Sequence, residues 1–167
     1  MIDYVKQTLL GQFEASLAML NNCVKACPEE HWEGRIANGT FRWVTYHTLF
    51  FVDFYLSPSK EAFELREFHQ HGGDERKPCP AAGLTNDETL AYVKICRDKM
   101  RITIAQETRE SLERESGFRK NLTRGELHIY NLRHVQHHTG QLSAYLRRVA
   151  ADHLDQGALP WIGSGWR

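Results

Sequence analysis

Three of the nine histidines fall within five residues, at positions 134, 137 and 138, inside the stretch NLRHVQHHTGQLSAYL from Asn131 to Leu146. On a helix, His134 and His138 stand one turn apart on one face. They are rotated by only about 40°, so two imidazoles can converge on one point. His137 is turned roughly 60° to one side of His134, at the edge of that face. The face continues through Leu127, Asn131, Gln141, Leu142, Tyr145 and Val149, a mixed apolar and polar seam at helical spacing. The pair therefore points into whatever this helix packs against.

Burying two imidazoles side by side is costly unless each finds a partner. A metal ion is one solution, because neutral imidazole is a good ligand for zinc, nickel, copper and iron. A pair of core histidines bonded to Asn131, Gln141 or a backbone carbonyl is the other. His47 adds a third ring. It sits mid-way along FRWVTYHTLFFVDFYL, residues 41–56, a stretch apolar or aromatic around nearly its whole circumference. A lone polar ring there is either a satisfied core histidine or the third ligand of the same ion.

The elements that must position these rings are helical. Residues 2–26 carry Ile2, Val5, Leu9, Phe13, Leu17, Leu20 and Val24 at helical spacing, and Pro28 ends the run. CPEEHWEGR reads as a single short turn, Asn38-Gly39 as a second, and Thr40 as the N-cap of the second helix. That helix has more apolar surface than one core can use, so a further face is expected against a second subunit or under a loop. Ser57-Pro58 stops it. Residues 57–83 are polar and broken by Gly72-Gly73, Pro78 and Pro80, with room for a short amphipathic helix over 60–70. A connection this long is a crossover, and His69 and His71 on it are expected to be exposed or to line the site. Thr85 and Glu88 form a capping box for a third helix reaching about Glu110, with ESLERESGFRKNL as loop. Thr123 and Glu126 form another, opening the fourth helix to about Ala150. Trp161 and Trp166 in the tail are expected to cover an apolar surface at the mouth of the site.

The result is an all-α chain, a four-helix bundle running up-down-down-up with a long crossover between helices 2 and 3, and a single domain over 1–167. Helices two and four are then antiparallel, which brings His47, His134 and His138 to similar heights. Neither strand-like alternation nor an internal repeat is present. A di-iron site on the same architecture needs Glu-x2-His motifs, and no glutamate here has a histidine three residues later.

Composition narrows the partners. Lysine plus arginine and aspartate plus glutamate balance at 21 each over 167 residues, and the pI is near 7.1. That balance, with no basic helix, argues against nucleic acid. The opening residues do not resemble a signal peptide, and residues 44–56 are too short for a membrane span, so a cytoplasmic protein is expected. Four cysteines without a C-x2-C pair fit a reducing compartment, with Cys23 and Cys27 as small core residues.

YHTLFFVDFYLS together with RHVQHHTGQL resembles the DinB-like (damage-inducible, YfiT-related) family of bacterial metal-binding bundles, over essentially the whole chain. The resemblance implies a homodimer in which His47, His134 and His138 hold a divalent ion, zinc or nickel. The extra His137 leaves an H-x2-H pair from His134 as an alternative. Three neutral ligands keep a position open for water or substrate. Asp53 or His71 is where a fourth ligand is to be sought, and Asn131, Gln141 and Tyr46 are the candidates to orient the rings or simply to pack beside them.

The resemblance also implies an enzyme that activates a low-molecular-weight thiol for transfer to a small electrophile. A metal-dependent hydrolase is a second reading, lowered by the lack of a clear general base. A non-catalytic, metal-stabilised dimer that binds a ligand or partner under stress is a third.

Overall fold

The computed structural model describes residues 2–36, 39–69 and 83–149. It is mainly helical, with four long helices: α1 (Ile2–Ala26), α2 (Phe41–Tyr55), α3 (Asn86–Gln106) and α5 (Arg124–Val149), with a short α4 (Arg109–Glu113) before the last. α1 packs on α3 and α5, and α2 packs on the same two. The core between them is built from Phe13, Leu17, Leu20, Leu49, Met100 and Leu142, all without solvent contact.

The starts of the helices follow their caps. Thr40 accepts from Trp43 N–H at 3.2 Å, and Thr85 and Glu88 bond reciprocally as a capping box. Thr123 and Glu126 do the same at 3.2 and 2.8 Å. CPEEHWEGR holds one 3-10 turn, Glu29–His31, as its proline-led sequence suggests. Beyond it, Arg35–Ile36 and Gly39–Thr40 pair as a two-stranded antiparallel ladder too short to show alternation. Gly34 lets this hairpin approach α5, where a Cβ would stand 1.7 Å from the Tyr145 hydroxyl.

Two expected boundaries move. α3 stops at Gln106 rather than near Glu110, because Glu107 is extended and Thr108 opens α4 as its own N-cap, accepting from Ser111 N–H at 3.1 Å. The break turns the Glu107 carboxylate inward. There it receives Arg124 at 2.9 Å and His128 at 2.8 Å, with Ser111 as a further donor. Burial raises this carboxyl, but those donors outweigh it and hold the pKa down at about 2. Arg124 also donates to the carbonyls of Tyr55, Leu56 and Ser57 at 2.9, 3.3 and 2.9 Å. These are carbonyls at the end of α2 that the helix itself leaves unsatisfied. In the crossover, the expected helix over 60–70 is reduced to one 3-10 turn, Glu67–His69.

The crossover ahead of that turn and the loop after α4 cover the surplus apolar face of α2. Phe63 meets Phe50 and Phe54 edge-on at 5.4 and 5.2 Å, and Phe118 meets Phe54 at 5.0 Å. A loop covers what the sequence left open between loop and subunit. His69 is neither exposed nor at the site. It is 3% exposed, accepts from Arg66 N–H at 3.0 Å and shares a 2.8 Å bond with Tyr92. Tyr92 donates onward to Asp53 at 3.2 Å, which Lys99 and Arg66 neutralise at 2.5 and 3.1 Å. His71, Trp161, Trp166 and the end of the fourth helix at Ala150 lie outside the described residues.

Cross-contacts fix relative order along the helices. Leu49 meets Cys96, Asp53 meets Lys99 and Leu56 meets Thr103, numbers rising together. Between α2 and α5 the order is opposite, His47 with His134 and Val52 with Asn131. Between α1 and α3 it is opposite again, Lys6 with Ala105, Glu14 with Arg97 and Val24 with Asn86.

Burial lowers the His69 pKa to about 4, against the pull of Asp53 and with the push of Arg66 and Lys99. The ring is neutral in the fold, so acid favours the unfolded chain once pH drops below about 6.5. Stability measured by urea unfolding is therefore expected to fall between pH 6.5 and 4, with on the order of 3 kcal/mol carried by this ring. His69→Gln is expected to flatten that part of the slope. An unchanged slope would show that the ring is not held neutral.

Candidate metal centre

α2 and α5 bring together the three histidines singled out by spacing. His47 Nε2 lies 3.0 Å from His134 Nε2, and His138 Nε2 lies 3.1 Å from the same atom. The three candidate ligand atoms all fall within 4.8 Å of one another. His47 and His138 are 5% and 4% exposed, while His134 is half-buried toward a cavity. Register explains the convergence: His47 faces the turn between His134 and His138 because the two helices run past each other in opposite order. Phe51, one turn after His47, packs edge-on against His47 at 5.0 Å and His134 at 5.6 Å.

The protonation states follow from neighbours. Gln141 Oε1 lies 2.8 Å from His138 Nδ1 and can only accept, so the proton sits on Nδ1 and the Nε2 lone pair faces the cluster. Burial drives the His134 pKa down to about 2, with His138 and His47 adding to the shift, so this ring is neutral. His134 Nδ1 is buried and has no hydrogen-bond partner among the described residues.

Ring nitrogens crowded this closely fit a cation between them. Zinc–nitrogen bonds of about 2.0–2.1 Å at angles from 90° to tetrahedral separate the nitrogens by roughly 2.8–3.4 Å. The observed 3.0 and 3.1 Å lie in that range. The three residues could hold a divalent metal ion.

The other expected site residues divide. Gln141 orients a ring as anticipated. Asn131 instead ties α5 to α2 through Val52 O at 3.4 Å. Tyr46 stacks on Trp43 at 5.3 Å, and its hydroxyl has no partner among the described residues. Asp53 is not beside the cluster but in the ion network with Lys99 and Arg66. His137 is exposed at the rim, with Nε2 3.3 Å from Gln141 Nε2, and is not one of the three.

The cluster forms one end of a cavity of about 900 Å³. Its wall includes Phe51, Tyr55, Arg119, Tyr130, Leu132 and Arg133. Phe51 and Tyr55 follow His47 at four-residue intervals and were legible on that face. Arg119 comes from the loop after α4, and no sequence spacing links it to the histidines.

The DinB superfamily is the family whose sequence profile matches, over residues 12–142. The chain belongs to the DinB superfamily. The matched span contains His47, His134 and His138, so membership and geometry bear on the same three rings. No curated protein and no solved structure matches this DinB chain.

Removing the Gln141 carbonyl frees the His138 ring to turn and to change tautomer. Gln141→Ala is expected to weaken uptake of zinc or nickel by about 10- to 100-fold without abolishing it, as read by chelator competition. An unchanged affinity would show that Gln141 does not orient the ligand.

Proposed function

We propose that this DinB protein is a metal-dependent enzyme acting on small molecules, of the thiol S-transferase kind. In this reading His47, His134 and His138 hold a divalent ion, zinc or nickel. The observation that carries it is the convergence of three imidazole nitrogens at the end of a cavity large enough for a small-molecule ligand. Three protein ligands leave a coordination position open, whereas structural zinc sites are closed by four. When bound, the ion supplies Lewis acidity, which lowers the pKa of a thiol and raises the share of nucleophile at neutral pH.

The chain's own residues supply position and environment. Gln141 holds His138 with its Nε2 inward, and Phe51 covers the flanks of His47 and His134 against water. Phe51 and Leu132 give the cavity an apolar wall suited to the body of an electrophilic small molecule. Among the described residues no carboxylate lines the cavity, which favours a substrate that brings its own nucleophile over hydrolysis with a protein base.

The same reading takes the chain as one up-down-down-up bundle. Support comes from the order of the cross-contacts, same-sense between α2 and α3 and opposite between α2 and α5. A homodimer and a cytoplasmic location complete it. The family resemblance supports the first. The second is supported by the cysteine pattern of the sequence, four cysteines without a C-x2-C pair.

Elemental analysis of purified protein is expected to find about one divalent ion per chain, and Ala at position 47, 134 or 138 to remove most of it. Transfer of low-molecular-weight bacterial thiols to monobromobimane is expected to stop on chelation and return with zinc or nickel. Stoichiometric metal without turnover of any thiol would sink the catalytic reading and leave a binding role. Sedimentation equilibrium is expected to give twice the chain mass, and a monomer mass would remove the dimer.

A further inference from the structure

The cavity has a second end. Elsewhere in the fold the arginines that pack between elements are matched to carboxylates: Arg42 to Glu33, Arg66 to Asp53, Arg97 and Arg101 to Glu14, and Arg124 to Glu107. Arg119 and Arg133, both exposed, line the cavity, and neither has a carboxylate partner among the described residues. Arg119 lies over the ring of Tyr130, its guanidinium carbon 4.1 Å from the centroid, and its Nε donates to the Tyr55 hydroxyl at 3.4 Å. Among the described residues only that Nε is bonded, which leaves both Nη groups to receive another acceptor. A guanidinium stacked on one face and tethered at Nε is pre-oriented, so little rotamer freedom remains to be lost on binding.

The wall between the two ends is continuous. His47, Phe51 and Tyr55 follow one another along α2, with rings 5.0 and 5.4 Å apart, and Tyr55 meets Tyr130 at 5.7 Å. From His47 to Tyr55 is eight residues, or about 12 Å along the helix. With two guanidinium groups and no carboxylate in the lining among the described residues, the potential favours an anion.

We propose that Arg119, seated on Tyr130 and Tyr55, is an anion-binding subsite of this cavity. Its ligand is an elongated small molecule with a donor atom at the histidines, an apolar body along Phe51 and an anionic group on the Arg119 Nη atoms. Arg133 is a second cation at the rim. The inference rests on reading the cavity as a ligand site with a metal end, and it narrows the substrate class to anionic molecules.

The test compares 6-mercaptohexanoate with 6-mercaptohexan-1-ol, equal in length and differing in charge, by calorimetry on zinc-loaded protein with metal content measured alongside. The acid is expected to bind about tenfold tighter than the alcohol, with the ratio shrinking as salt rises. Arg119→Gln is expected to bring the ratio near one while leaving metal content and the Kd of the alcohol unchanged, which also shows that the variant is folded. A wild-type ratio near one overturns the subsite, and so does a ratio that survives in Arg119→Gln. Loss of the preference only in Arg133→Gln overturns the assignment to Arg119. If the wild type takes up no metal, the metal reading fails by itself. Hexanoate against hexan-1-ol on the metal-free protein then decides the subsite by the same ratio.

Discussion

Two imidazole nitrogens, from His47 and His138, each within about 3 Å of the same His134 nitrogen are a crowded arrangement in an otherwise apolar setting. His138 must present a lone pair, because Gln141 takes its Nδ1 proton. His134 is held neutral by burial and by its two neighbours. At most a shared proton relieves the crowding in the absence of an ion, and a divalent cation relieves it fully. The fold keeps the rings together in spite of that cost. Arg124 takes the last carbonyls of α2 and binds Glu107 at the same time, so the end of α2, the α3–α4 junction and the start of α5 are locked as one corner. From that corner the register of α2 against α5 is set, and with it the meeting of His47 and His134.

α2 serves two polar sites on different sides. His47, Phe51 and Tyr55 face α5 and the cavity. Tyr46, Phe50 and Phe54 pack under the crossover, with the buried Asp53 on the α3 side where Lys99 and Tyr92 reach it. Six residues at 100° each put Asp53 about 120° away from His47 around the helix. An acidic residue near a histidine in sequence is thus separated from it in space, and its charge is spent on pinning the crossover through His69, Arg66 and Tyr92.

What could be read from the chain alone follows this division between local and non-local causes. Caps are local, so Thr40, Thr85 and Thr123 marked their helices correctly. The i, i+4 pair of His134 and His138 is local too, and the apolar setting of His47 supplied the third ring. Thr108 carried the same cap signal as the others, but apolar spacing through Ile104 masked it, and the break at Glu107 depends on Arg124 and His128 from a distant helix. His69 reads as a loop histidine because its partners lie on another helix. Tyr46 and Asn131 share the right neighbourhood in sequence, and only packing decides that Gln141 alone among the three reaches a ring.

Arg119 shows the limit most clearly, and it bears on the ligand proposed for the cavity. Its place depends on the loop after α4 folding back so that the guanidinium lies on Tyr130, a contact between residues 11 apart in sequence with an irregular segment between them. A thiol with a pKa near 8.5 is already partly ionised at neutral pH, so a transfer reaction asks the wall for orientation more than for a base. Water as nucleophile, and an ester or amide leaving group, ask for proton traffic that a lining without carboxylates among the described residues supplies poorly. The wall provides aromatic surface and fixed positive charge instead. In the proposed reading those properties discriminate among molecules by shape and charge, and they leave the reactive group to be supplied by the ligand.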